Sequence, residues 1–111
     1  MVIIKNLITV DDFHDFIGAE GDEIRVAKLY APWCQPCKAL SETIKNLDKD
    51  KIGNTQFAEI DIDTDETDSI GMECGVRSVP VLIFYKNGFE QKRIVGAASA
   101  DKIYDTINEL S

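Results

Sequence analysis

No apolar run in the sequence approaches the ~20 residues that a membrane-spanning helix needs. The first stretch, MVIIKNLITVDDFHDF, reaches Lys5 after only a few apolar residues and soon turns acidic. It is not a secretory h-region, so an intracellular, cytoplasmic protein with no membrane partner is expected. Basic residues are scarce as well. Twelve lysines and arginines face twenty acids, a net charge of -8. That balance argues against nucleic acid or an anionic membrane as the main partner, since both need basic surface. Cysteines number only three, and an odd count gives no disulfide framework. In a reducing compartment a close pair is more often redox-active or metal-binding than structural. Repeats, low-complexity tracts and linkers are missing too. The 111 residues suit one domain, 1–111, around one modest core.

What the sequence does hold is an alternation of strand and helix patterns. Val2–Ile4 reads as a short strand. Thr9-Val-Asp-Asp makes a capping-box-like helix start. Phe13, Phe16 and Ile17 follow at helical spacing, and Gly18 and Gly21 end the helix. Ile24–Tyr30 (IRVAKLY) is a strand, apolar except for two basic residues. A longer helix is expected from Cys34 to about Asp48, with Leu40, Ile44 and Leu47 as its apolar stripe. The Gly53-Asn54 turn precedes a strand at Phe57–Ile62. The acidic stretch TDETD, 64–68, opens a short helix that ends near Gly75. Val81–Tyr85 is strongly β, Lys86-Asn87-Gly88 turns the chain, and Glu90–Val95 returns antiparallel. Ser99 caps a last helix with Ile103, Ile107 and Leu110 on one face. The order β-α-β-α-β-α-β-β-α implies an α/β fold, one mixed sheet with helices on both faces. The strand at 24–30 belongs at its centre, because both its faces are largely apolar.

Cys34-Gln35-Pro36-Cys37 lies between that strand and the long helix. Cysteines three apart in a first helical turn fall within the ~4.4–6.8 Å Cα window of a disulfide. Free N–H groups and the positive end of the helix dipole favour a thiolate there, and the thiolate is the nucleophile of thiol–disulfide exchange. Pro36 is tolerated in a first turn because its missing N–H has no intrahelical partner. Cys34, expected to be the more exposed, should attack; Cys37, one turn in, should resolve. A zinc site would need Cys74 and His14, which are single and far apart, whereas structural zinc shows paired ligand spacing. An iron–sulfur cluster lacks a fourth cysteine. Neither a metal nor a bound cofactor is expected, only a redox-active Cys34–Cys37 disulfide.

With these residues in view the chain resembles the thioredoxin family along nearly its whole length. The resemblance rests on four blocks in order: Ala31-Pro-Trp33-Cys34-Gln-Pro-Cys37-Lys38, Val76-Arg77-Ser78-Val79-Pro80, Lys86-Asn87-Gly88 and Val95-Gly96-Ala97. It implies the thioredoxin fold, a central five-stranded mixed sheet flanked by four helices. It implies a dithiol that reduces protein disulfides and is itself reduced by a thioredoxin reductase, with a monomer expected. Pro80 matches the family's cis-proline, which would bring the Val79 backbone beside the cysteines for an extended substrate. Gly96 matches a glycine that lets substrate approach closely. Trp33, Pro36, Val79, Pro80, Gly96 and Ala97 would form an apolar docking patch around Cys34. The other reading of Trp33 is a core tryptophan.

The sequence departs from the family pattern at two informative places. Gln35 stands where glycine is familiar, and with Pro36 it forms the middle pair that tunes the potential. Lys28, six residues before Cys34, stands where the family usually buries an aspartate beneath the resolving cysteine. On the next strand, where a lysine often neighbours that aspartate, the matching residue is Glu59. A reversed pair follows, Lys28 inside and Glu59 beside it. A buried lysine has a lowered pKa: neutral, it could serve Cys37 as a base, and charged, it would favour the thiolate. Alternatively Lys28 snorkels, its stem on apolar surface and its ammonium in water. Cys74 reads as a small packing residue at a helix end, or as a regulatory or dimer-forming thiol. Two other functions stay open beside reduction: a more oxidising disulfide exchanger, and a binding subunit that uses the patch without redox turnover.

Overall fold

The computed structural model describes residues 1–111. The elements run β1 (Ile4–Leu7), α1 (Val10–Gly18), β2 (Ile24–Tyr30), α2 (Gln35–Lys45), α3 (Lys49–Ile52), β3 (Gln56–Asp61), α4 (Asp68–Glu73), β4 (Val81–Lys86), β5 (Phe89–Val95) and α5 (Ala100–Leu110). The five strands form one sheet in the order β1-β3-β2-β4-β5. Strand β3 is parallel to β1 and β2, while β4 is antiparallel to β2 and β5. Strand β2 is central, as its two apolar faces require. Val26 packs with Leu40, Ile44, Leu82, Phe84 and Ile103 on one face. Ala27 and Leu29 pack with Phe13, Phe16, Ile70 and Ile83 on the other.

Local chemistry sets the element ends. Thr9 Oγ1 accepts the Asp12 N–H at 3.0 Å, and Asp12 Oδ2 accepts the N–H of Ile8 and of Thr9, each at 3.1 Å. That capping box starts α1. Ser99 Oγ accepts the Lys102 N–H at 3.1 Å and starts α5. The β4–β5 turn places Asn87 at φ 53° and Gly88 at φ 84°. Two positive φ values in a two-residue hairpin explain the Asn-Gly pair.

Three elements differ from the sequence reading; in one, the 64–68 stretch expected to open a helix is bend and turn as far as Thr67, and α4 begins at Asp68. The first strand is Ile4–Leu7, later than Val2–Ile4, because ladder pairing starts where Ile4 meets Phe57. Val2 instead buries its side chain in the core, and its N–H donates to Lys45 O at 3.0 Å. The long helix stops at Lys45 rather than Asp48, and α3 follows it, so there are five helices instead of four. Asn46 terminates α2: its N–H donates to Glu42 O at 3.2 Å, and the Leu47 N–H donates to Ile44 O at 3.1 Å. Asp48 then accepts the Asp50 N–H at 2.9 Å and caps a new turn. Leu47 keeps its place in the apolar stripe although it lies outside the helix.

Candidate active site

Strand β2 delivers the chain to the edge of the sheet at Tyr30, and Ala31-Pro32-Trp33 leads into α2. Cys34 is the N-cap of α2, with φ -87° and ψ 110°, and its Sγ accepts the Cys37 N–H at 3.2 Å. The two cysteines are joined as a disulfide with their Cα atoms 5.3 Å apart. The sulfurs therefore sit where a helix start concentrates unpaired N–H groups and positive charge.

The exposure expected of Cys34 needs correction. Cys34 is only 3% exposed and Cys37 1%. At the N-cap the Cys34 side chain folds inward over the first turn to reach Cys37. Tyr30 and Val79 then pack against the Ala31–Cys34–Cys37 cluster. What is exposed is the rim. Trp33 is 69% exposed, which removes the core reading, and its indole N–H donates to Asp63 Oδ2 at 2.7 Å. A groove of about 190 Å³ lies beside it, lined by Ala31, Trp33, Ile62, Val76 and Val79 with Asp63 and Arg77 at its edge. Pro80 is buried, after a cis Val79–Pro80 peptide. Its carbonyl accepts the Gly96 N–H at 2.8 Å, which ties the Gly96-Ala97 turn to the Val79–Pro80 segment. Gly96 has φ 89°, a backbone state that suits glycine. Gln35, Pro36 and Ala97 are exposed, but they, Pro80 and Gly96 do not line that groove.

Beneath Cys37 the structure brings Lys28 and Glu59 together. They are register partners across β2 and β3, with Lys28 Nζ 3.3 Å from Glu59 Oε2. Lys28 is 2% exposed, so it does not snorkel. Its Nζ also donates to Ser41 Oγ and lies 4.9 Å over the Tyr30 ring. Burial pulls the Lys28 pKa below the usual lysine range, and the charge of Glu59 opposes that fall. A cavity of about 260 Å³ runs along Lys28, Tyr30, Cys37, Ser41, Lys45 and Glu59. Sequence reasoning missed Ser41, Tyr30 and Asp63. The first two carried a signal: Ser41 is four residues after Cys37 on a helix and Tyr30 two after Lys28 on a strand, so each shares its partner's face.

Cys74 lies away from the pair, half-buried at the end of α4, with its thiol 3.9 Å from Tyr85 Oη. Burial pushes its pKa up, which makes it a poor nucleophile. Cys74→Ser is expected to leave the initial rate of insulin disulfide reduction within about twofold of the unmodified protein, since a buried thiol outside the site carries no step. A larger loss with folding intact would give this thiol a catalytic part. His14 pairs with Glu73 at 2.9 Å. No group of three or more His, Cys, Asp or Glu side chains is arranged to hold a metal ion.

A thioredoxin family model matches residues 5–109. The thioredoxin of Gallus gallus is 32% identical over 108 residues, 97% of this chain and 99% of that protein. The thioredoxin of Homo sapiens matches to the same extent, 32% over 108 residues with the same coverage of both chains. Among solved structures, Fasciola hepatica thioredoxin superposes with a TM-score of 0.82 at 26% identity, covering 97% of this chain and 100% of its own.

Proposed function

Because the chain belongs to the thioredoxin family, we propose that Cys34 and Cys37 divide its reaction between attack and resolution. The protein is a thiol–disulfide oxidoreductase of the protein-disulfide reductase type, with the thioredoxin fold. The observation that carries the assignment of roles is the Cys34–Cys37 disulfide at the start of α2, with Cys34 at the cap. In the reduced form the Cys34 thiolate attacks one sulfur of a substrate disulfide. A mixed disulfide forms, and the other substrate sulfur leaves with the electron pair and takes up a proton. The Cys37 thiolate then attacks Cys34 Sγ, and the second substrate sulfur leaves. Two electrons have passed to the substrate, and the Cys34–Cys37 disulfide remains.

The N-cap position supports Cys34 as nucleophile, since the helix start stabilises a thiolate there. Trp33, Val79, Pro80, Gly96 and Ala97, with Pro36, form the docking surface for an extended segment of a protein substrate. The exposed indole and the adjoining apolar groove support that reading for Trp33 and Val79. Lys28 and Glu59 beneath Cys37, with Gln35 and Pro36 between the cysteines, set the potential. The family implies the rest: recharging by a thioredoxin reductase, action as one domain and one monomer, and electron transport and redox homeostasis in the cytoplasm. The reaction needs no bound group beyond the disulfide itself.

Insulin reduction by excess dithiothreitol tests the reading. The protein should accelerate the precipitation of the freed chains. Trp33→Ser should slow this reaction about tenfold, equivalent to ~1.4 kcal/mol of lost transition-state binding. The same variant should reduce a small aromatic disulfide at close to the unmodified rate. Equal loss on both substrates would place Trp33 in the chemistry or the packing rather than in docking. No acceleration by the unmodified protein would overturn the reductive assignment.

A further inference from the structure

Lys28 occupies a strand position whose neighbours on the same face, Val26 and Tyr30, are apolar and aromatic. Its Nζ meets three electron-rich partners: Ser41 Oγ, Glu59 Oε2 at 3.3 Å and the Tyr30 ring at 4.9 Å. An ammonium offers three N–H donors and no lone pair. A hydroxyl oxygen, a carboxylate and a ring face match those three donors one for one. A neutral amine would leave Glu59 without its cation and the ring without the charge that attracts it. The set is built for the charged form.

The partners also fix where that charge sits. Ser41 lies one turn beyond Cys37 on α2, so its hydroxyl is on the helix face that carries the sulfur. Tyr30 packs against the Ala31–Cys34–Cys37 cluster while its ring holds the ammonium. Cys37 and Lys28 line one cavity. The Glu59 side chain is 20% exposed against 2% for Lys28, so water screens the carboxylate more than the ammonium. Around the cavity, Glu42 and Lys45 of α2 pair with each other at 3.7 Å, Lys38 borders it from the same helix, and Asp61 follows Glu59 at the end of β3. The inward end of the buried pair is positive.

We infer that Lys28 acts on Cys37 as a fixed positive charge and not as a proton acceptor, with Ser41 and Tyr30 as the residues that position it. The inference rests on Cys37 being the resolving thiol. In the step it describes, the Cys37 S–H bond breaks and the proton passes to water in the cavity, which is polar and wide enough to hold water. The thiolate left behind faces the ammonium, attacks Cys34 Sγ, and the substrate sulfur departs with the electron pair of the broken bond. Lys28 keeps its three protons throughout.

The test follows two nuclei in the intact reduced and oxidised protein: Lys28 ¹⁵Nζ and Cys37 ¹³Cβ, from about pH 6 to pH 9, the range in which thiols titrate. Lys28 should remain an ammonium across the range in both redox states. Ser41→Ala should lower the Cys37 thiolate-to-thiol ratio at fixed pH about threefold, half a pKa unit. Tyr30→Leu should act in the same direction, and Ser41→Thr should restore the unmodified titration. Ser41→Ala is mild for a helix, so it decides the matter if Tyr30→Leu does not fold. Loss of the Lys28 proton in step with the Cys37 titration would overturn the inference, as would an unchanged Cys37 titration in Ser41→Ala. Trapping of substrates by a Cys37→Ser variant tests the division of roles separately, so the two failures are distinguishable.

Discussion

Lys28→Asp is expected to destabilise the protein by about 3–5 kcal/mol, the usual cost of leaving one member of a buried ion pair uncompensated. The new carboxylate would face Glu59 across the β2–β3 register. Two acids in one enclosed site raise at least one of their pKa values. A carboxylate whose folded pKa is raised binds its proton more tightly in the folded state than in the unfolded one. The deficit should therefore shrink as pH falls toward the carboxylate range and be complete near neutrality. The redox effect is separable. A cation beside Cys37 stabilises thiolate over thiol, and with it the dithiol over the disulfide. Removing it should make the potential more negative, by ~30 mV for each ~1.4 kcal/mol of lost coupling. The exchange Lys28→Asp with Glu59→Lys keeps both charges and should recover much of the lost stability. Urea unfolding of the three proteins, with potentials measured against glutathione, reads both effects. An unchanged stability and potential in the single variant would mean that the buried pair plays no part in the site.

The largest effect on turnover is expected from the cysteines themselves. Cys34→Ser should bring insulin reduction down to the rate of dithiothreitol alone, because no other thiol occupies the N-cap of a helix. Cys74 is half-buried with a raised pKa and cannot substitute. Cys37→Ser should lose steady-state turnover as well but for a different reason. The first attack proceeds, and the mixed disulfide waits for an external thiol because the internal resolving thiolate is gone. The two variants should thus differ in one respect: covalent substrate complexes accumulate with Cys37→Ser and not with Cys34→Ser. Both should fold, since serine is close to cysteine in size and each site lies at a helix start where serine is accepted.

Much of this was legible in the residues. The IRVAKLY run read as a central strand and VLIFY as strongly β, and both form strands, with β2 at the centre of the sheet. The Thr9 and Ser99 caps marked helix starts that the hydrogen bonds confirm. The Cys34–Cys37 spacing fixed both the disulfide and the element that carries it. The pairing of Lys28 with Glu59 was implied by the family resemblance, once the two strands were aligned to it from Cys34, and the register bears it out. The end of α2 did not show, because the apolar stripe runs on through Leu47 after the backbone has left the helix. Periodicity reports which side chains are buried, not which amides are bonded. The burial of Cys34 did not show either. An N-cap side chain can point outward or fold over its own first turn, and sequence does not distinguish the two. Asp63 as partner of Trp33 is a contact across thirty residues, beyond any local pattern.

The measurement that bears most directly on the account is a peptide map of the covalent complex formed when reduced Cys37→Ser meets a disulfide-bonded protein. Mass spectrometry of the unreduced digest should find the substrate cysteine joined to Cys34 alone. A substrate peptide joined to Cys74, or no covalent complex although the variant folds and Cys34 is reduced, would contradict the assignment of Cys34 as the attacking sulfur.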